Sequence, residues 1–475
     1  MKKKLIVAVI ALFILTFSFA AAPKQANAIP AFAQKYHFSC AVCHTVFPNL
    51  NPFGRAFWRN GFRLPDTNGT PADATQITQG LSLPNPWPVP ISISTWVTYQ
   101  HYTNENVNSA TDAFSNMSMI DAGGSYKLYT PFANSLSFFD MNNVGPGMPF
   151  SVAQIWASLN GIGSGFGVPS NLVNLKIGMP NTAAPYFDKQ FAFNVYVPAI
   201  QPLNVGFSSE GGNLINVQPS GFEVYGTPGY HLWYKVTVTN DAGASSVNAN
   251  ANGASNAMEY SYQLKEYYPT SMGQLEFGYY GATIAEPLAL NKVKGSIPAQ
   301  GSWTNRITDN GFDVDLANDI YELGATYMVQ SDGHPYGNPS AVSTSLTNAA
   351  GGIIGNTSSS NGYSAVEIYG RYLFPQIGHG LMFAAQYAQY RWTHKDLQEA
   401  FLSGGKISSS CADANLYQSG TYKKVSNGCT NEGIKNEVAL LAEYNLAYNA
   451  HIYLEYLFTN KSQDNTLGTG LAFAF

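Results

Sequence analysis

From residue 91 onward the chain repeats one pattern: a run of alternating apolar and polar residues about ten long, then a turn. Between residues 230 and 239 one face reads Tyr230, Leu232, Tyr234, Val236 and Val238, and the other reads His231, Trp233, Lys235, Thr237 and Thr239. Between 437 and 448, Val438, Leu440, Ala442, Tyr444, Leu446 and Tyr448 lie opposite Glu437, Glu443 and Asn445. Between 451 and 459, Ile452, Leu454, Tyr456 and Phe458 lie opposite His451, Tyr453 and Glu455. The same period fits 91–102, 259–266, 273–284, 321–330 and 363–374. In the last run Leu467, Thr469, Leu471, Phe473 and Phe475 share one face, so an apolar strand ends on a terminal Phe. A period of two predicts strands throughout.

The connections alternate as well. Short turns at 226–229, 268–270 and 375–378 separate long Gly-, Ser- and Asn-rich loops near 181–217, 241–256, 285–308, 332–361 and 395–433. Short turns at one end and long loops at the other are the habit of outer-membrane barrels, whose strand number is even, and the runs count to about sixteen. A soluble sandwich or propeller would have to house several structureless loops longer than about a dozen residues, which compact domains rarely do. The expected fold is therefore all-β, a transmembrane antiparallel barrel spanning 91–475.

Composition strengthens this reading. Charged residues make up 11% of the chain, against roughly 25% in an average soluble protein. Tyr (30) and Phe (28) are abundant, as in a barrel that carries aromatic girdles where a soluble surface carries Lys and Glu. A net charge of -5 gives no support to nucleic-acid binding.

Upstream of the repeats the pattern changes twice. Lys2, Lys3 and Lys4 precede an uncharged apolar run over 5–22, and Ala26-Asn27-Ala28 supplies the small residues of a cleavage site. This predicts a secretory signal over 1–28 rather than an anchor. Further on, Asn51 is a candidate N-cap, Pro52 fits the first helical position and Gly61 fits the position after the last turn, predicting a helix over 52–60. Arg55 and Arg59 share one face of it, with Phe53 and Phe57 beside them. Residues 29–66 then form a short head, and 67–90 a linker.

The head holds the chain's clearest chemistry. Cys40-Ala41-Val42-Cys43-His44 has the spacing at which two thiols bond covalently to a haem and the adjacent imidazole ligates its iron. Cys411 and Cys429 stand far away in a Gly/Ser/Asn-rich stretch, and in an oxidising compartment predict a disulfide. A head of about forty residues is too small to wrap a haem, which predicts that the barrel lumen provides the wall. Arg55 and Arg59 would then meet haem propionates or inward carboxylates of the barrel.

The stretch around this motif resembles a known family. Ala31-Phe32-Ala33-Gln34-Lys35-Tyr36, the haem motif, Pro48-Asn49-Leu50-Asn51-Pro52-Phe53-Gly54 and Gly61-Phe62-Arg63-Leu64-Pro65 are similar to the heads of fused monohaem cytochrome–porins. That family includes outer-membrane iron oxidases of iron-oxidising bacteria. The resemblance covers the head; the barrel matches only in length and pattern. It implies one covalent haem c on Cys40 and Cys43, His44 as proximal ligand, and a barrel of about sixteen strands. It also implies outer-membrane lipid as surroundings, extracellular Fe(II) as donor, and a periplasmic c-type cytochrome or other soluble protein as acceptor.

A sixth iron ligand is harder to place. No Met occurs between residues 29 and 112, and His37 lies too near Cys40 to reach the opposite haem face. His231 and His451 fall at inward positions near the periplasmic starts of their strands, and Met328 points inward nearer the outer rim. Inward Glu259, Glu276, Glu322, Glu367, Glu437, Glu443 and Glu455 are candidates to guide a cation or to pair with Lys235, Lys265 and Arg371. Three function classes follow: electron transfer from Fe(II), a solute porin with a haem plug, and a haem enzyme acting on peroxide or a small reductant. No nucleophile–base arrangement or phosphate-binding loop points elsewhere.

Overall fold

The computed structural model describes residues 38, 40–46, 49–63, 75–78, 81–83, 91–102, 111–128, 130–145, 148–179, 220–240, 258–290, 296, 298–334, 337–341, 343–347, 353–392, 434–447, 450–459 and 466–474. The signal segment and the Cys411–Cys429 pair lie outside them.

The N-terminal part comprises α1 (Cys40–Cys43), β1 (His44–Val46), β2 (Asn49–Leu50) and α2 (Pro52–Arg59), followed by a hairpin of β3 (Thr75–Thr78) and β4 (Leu81–Leu83) in the expected linker. The barrel opens with β5 (Ile91–Tyr102), β6 (Thr111–Lys127), β7 (Ser135–Gly145), β8 (Met148–Asn160), β9 (Asn174–Gly178), β10 (Gly221–Gly226), β11 (Leu232–Asn240) and β12 (Met258–Thr270). It continues through β13 (Gly273–Leu290), β14 (Gly301–Ala317) and β15 (Tyr321–Asp332). A separate hairpin, β16 (Ser345–Thr347) and β17 (Ile353–Asn356), precedes β18 (Asn361–Phe374), β19 (Leu381–Trp392), β20 (Ile434–Ala447), β21 (Ala450–Thr459) and β22 (Thr466–Ala474).

Sixteen antiparallel strands close on themselves, with β22 paired to β5 from Thr466↔Tyr102 to Ala474↔Ser94. Closure leaves no edge, so the ladder satisfies the backbone without water. The side chains are sorted in the reverse of a soluble protein. Along β12, Glu259, Ser261, Gln263 and Lys265 are buried while Tyr260, Tyr262 and Leu264 are exposed. Neighbouring strands repeat this, with Phe277, Phe312, Leu323 and Ile368 outward. Apolar groups outside a closed barrel and polar groups inside it define a transmembrane barrel, which places the chain in the bacterial outer membrane.

Tight ladders need local room. A side chain at Gly311 would collide with the Tyr280 hydroxyl on the neighbouring strand. Glycine there lets an inner-face ring lie flat across the next strand.

The chain deviates from the expected boundaries in several places. The short turn expected at 268–270 is still strand, with Pro269↔Gln274 and Thr270↔Gly273 paired, so β12 and β13 are joined only at 271–272. The loop expected at 285–308 is mostly strand: β13 runs on to Leu290 and β14 begins at Gly301, in register from Gln274↔Ala317 to Leu290↔Gly301. The cross-strand ladder outweighs the weak local propensity of that stretch. The long loop expected at 332–361 carries the β16–β17 hairpin. The β5 start, the β22 end and the short turns all lie at one end of the barrel.

Candidate functional site

The head is built around Asn51. Its side chain caps α2 by accepting from Gly54 N at 2.9 Å, while its Nδ2 donates to Val42 O at 3.1 Å and its backbone N to Cys43 O at 2.9 Å. One residue thus starts α2 and ties it to the Cys40–Cys43 turn. Gly54 lets the two pieces touch, because a Cβ at this position would collide with the Cys43 carbonyl oxygen. α2 ends as the sequence predicted: Gly61 takes a positive φ of 69°, with the Tyr225 hydroxyl where a side chain would stand.

α2 lies inside the barrel at its short-turn end. The Arg55 guanidinium is fully buried between Asp315 (2.5 Å), Glu322 (2.6 Å) and Glu276 (3.9 Å). Arg59 binds Glu276 through both terminal nitrogens, at 2.8 and 3.3 Å, and lies over the Tyr267 ring at 4.7 Å. Lys265 reaches Asp313 at 3.1 Å and Glu276 at 3.9 Å, and Arg371 holds Glu322 at 2.8 Å. Four positive groups, Arg55, Arg59, Lys265 and Arg371, therefore face four negative ones, Glu276, Asp313, Asp315 and Glu322. Burial alone would lower the Arg55 pKa, but Glu322, Asp315 and Glu276 more than reverse this and hold it well above its ordinary value.

Apolar and polar contacts complete the seat. Trp58 packs on Trp233 at 6.1 Å, Phe62 stacks on Trp156 at 5.8 Å, and Arg63 Nη2 donates to Asn174 Oδ1 at 3.0 Å. Where Trp58 and Arg59 meet Lys176, Glu223 and Lys235, a cavity of only 10 Å³ is left. That is scarcely room for one water.

α1 places positions 40 and 43 one turn apart, and Cys43 and His44 are half-buried. The His44↔Leu50 pairing folds the motif back, and Arg371 Nη2 donates to Leu50 O at 3.4 Å. Arg371 is paired in register with Ala384, a member of a buried apolar patch with Met382, Ala439, Leu441, Tyr369 and Tyr453. The inner face is thus apolar around these residues, against the usual polar lining.

The other candidate residues divide. Arg55 and Arg59 were expected to hold a cofactor's carboxylates or the barrel's; their partners are the barrel's Glu276, Asp315 and Glu322, which occupy them as buried ion pairs. His231 is exposed: it follows the turn at Pro228–Tyr230, one residue before β11 begins at Leu232, and its ring lies against Gly229. His451 does face inward and is buried, its Nε2 3.5 Å from Glu443 Oε1. Met328 is buried on the same face. Glu259, Glu276, Glu322, Glu367, Glu443 and Glu455 are all buried inside. The side chain of Glu437 is outside the described set.

Two groups escaped the sequence reading. Asp309, Asp313 and Asp315 alternate along β14 and all face inward; their period is legible in 309–317, just past the loop expected at 285–308. Ala439 and Leu441 sit on the inward face shared with Glu443, an apolar break that was visible in the sequence. Among the described residues, no three His, Cys, Asp or Glu side chains gather as a metal site.

No protein-family model and no curated protein match the chain. Among solved structures it is similar to a loop L8 deletion form of OmpT, an outer membrane protein of Vibrio cholerae. Identity there is 11%, over 82% of this chain and 99% of that one, with a TM-score of 0.45. It is also similar to Salmonella typhi OmpF in complex with daunomycin, at 12% identity over 82% and 98% with TM-score 0.47. Pseudomonas putida OprB matches at 9% over 81% and 93%, again with TM-score 0.47.

Proposed function

We propose that the chain is an outer-membrane electron-transfer protein of the fused cytochrome–porin kind. It oxidises extracellular Fe(II) and reduces a periplasmic c-type cytochrome or another soluble acceptor. One haem c would be bound through Cys40 and Cys43, with His44 as its proximal ligand. The observation that carries this reading is the position of the attachment motif, on a plug locked by buried ion pairs into one mouth of a closed barrel. The residues present fit such a group: two thiol positions one helical turn apart, an imidazole next to them, and an apolar patch on the barrel wall linked to the motif through Leu50 and Arg371.

When bound, the group supplies one-electron exchange. The chain's own residues do the rest. Asn51 and Gly54 fix the motif against α2, Arg55 and Arg59 fix α2 to the wall, and Met382, Ala384, Ala439 and Leu441 exclude water beside it. His451, inward and buried at the same end, would be the candidate to supply a second imidazole nitrogen to the iron. His231, exposed at its turn, has lost that support. The outer membrane keeps insoluble Fe(III) outside while charge passes inward.

The test is stopped-flow mixing of the purified, oxidised protein with Fe(II) at acidic and neutral pH. Growth of reduced-haem bands is expected, and their absence at both pH values overturns the assignment while leaving the architecture standing. One observation favours a second reading: sixteen strands enclose enough space for an aqueous channel, as in a solute porin with a regulatory plug. Steady single-channel currents through the intact protein would favour it.

A further inference from the structure

We propose that Asp309, Gln330 and Asp332 form a docking site for a hydrated divalent cation in the long-loop half of the lumen. Asp309 on β14 lies directly opposite Gln330 on β15, and Asp332 is paired with Ile307, one inward step away. All three side chains are buried. The two aspartates form a diagonal pair on one face, with Cβ atoms roughly 7–8 Å apart. Two carboxylates at that separation can bind one cation at ligand distances of about 2.3 Å.

The unusual feature is what they lack. Neither carboxylate oxygen of Asp309 has a hydrogen-bond partner among the described residues, and neither the oxygen nor the nitrogen of the Gln330 amide has one. Asp332, in contrast, is oriented by Asn305 Nδ2 at 2.7 Å. The inner-face neighbours Ala282, Ile307 and Met328 have no positive group to offer. A carboxylate in such surroundings is either protonated or met by a positive partner, and a bound cation is the partner these three side chains can share. Four basic residues are engaged at the opposite end, where Arg55 and Arg59 of α2 and Lys265 and Arg371 of the wall pair with Glu276, Asp313, Asp315 and Glu322.

The donor set indicates the kind of ion. Two carboxylates and an amide oxygen are hard ligands, suited to a divalent cation that keeps part of its water shell. Fewer than four protein ligands also means modest affinity, as a transient ion requires and a resident metal does not. Asp309 and Asp315 stand six residues apart on β14, roughly 20 Å along the strand, so the site faces the outside while sharing a strand with the plug's anchor. The assignment of this ion as the Fe(II) donor rests on the electron-transfer reading; the cation site itself does not.

Mn(II) serves as the probe, with the purified full-length haem-loaded protein and binding followed by electron paramagnetic resonance. Wild type should bind one Mn(II) in the lumen. Asp309→Asn should raise its Kd at least tenfold, and Gln330→Leu, which keeps both charges, should raise it several-fold. If wild type binds no Mn(II), or all three proteins bind it equally, the site is overturned. The same holds if infrared spectra show a protonated carboxyl that Asp309→Asn removes while Mn(II) binding stays absent. In a second arm, Mn(II) should slow reduction by Fe(II) in wild type and have no effect in Asp309→Asn. If Mn(II) binds as expected but Fe(II) reduces neither protein, the cation site survives and the iron-oxidase reading fails.

Discussion

Replacing Arg55 by Ala removes the hub of the plug's attachment. Its guanidinium has no exposure and meets Asp315 at 2.5 Å and Glu322 at 2.6 Å, with Glu276 at 3.9 Å. The substitution leaves those carboxylates buried with one positive charge fewer, although Arg371 still holds Glu322 and Arg59 still holds Glu276. Breaking a buried pair by removing one partner costs about 3–5 kcal/mol. At 1.4 kcal/mol per factor of ten, the docked fraction of the plug relative to the released form falls by about 10²–10⁴. The assay is single-channel recording in a planar bilayer. Wild type should be closed almost throughout, whereas Arg55→Ala should show frequent long openings of a sixteen-stranded channel. Arg55→Lys, which keeps the charge but not the planar fork, should fall between them. Identical traces from wild type and Arg55→Ala would refute the claim that these ion pairs hold the plug.

Further outcomes follow from the same geometry. Gly54→Ala should loosen the head, because its Cβ meets the Cys43 carbonyl; overpacking costs about 1–3 kcal/mol, more than the helix-propensity gain of about 1 kcal/mol. Limited proteolysis should cut its N-terminal segment faster than in wild type, with heat-modifiable migration of the barrel unchanged. The Cys40→Ala/Cys43→Ala double variant should lose haem staining on denaturing gels while the barrel still folds. His451→Ala should shift the ferric Soret band and His231→Ala should not; an unmoved band in His451→Ala removes it as an iron ligand.

Much of the barrel was readable because its two faces differ so sharply in solvent. A strand such as 259–266 must put Tyr260, Tyr262 and Leu264 toward lipid and Glu259, Gln263 and Lys265 inward, and that constraint is written directly into the alternation. The α2 helix was equally readable, since Asn51, Pro52 and Gly61 each act locally. What failed was non-local. Nothing within 285–308 announces a ladder that depends on β13 and β14 supporting each other over seventeen paired positions. His231 departs by one residue, because the turn at Pro228–Tyr230 leaves its ring exposed against Gly229 just ahead of β11. The partners of Arg55 were legible only as a choice between propionates and barrel carboxylates, because Asp315 lies 260 positions away in the chain. The apolar patch around Met382 is less legible, because Ala439 and Leu441 share an inward face with Glu443, where the barrel rule predicts polar side chains.

The central claim is that charge crosses the outer membrane through this plugged barrel while iron stays outside. Proteoliposomes containing the haem-loaded protein, with a ferric soluble cytochrome c enclosed and Fe(II) added outside, test it most directly. The claim predicts reduction of the enclosed cytochrome, one electron for each Fe(II) oxidised, with the resulting Fe(III) recovered in the outer medium. An enclosed cytochrome that stays oxidised, or iron found inside in proportion to the reduction, would contradict it.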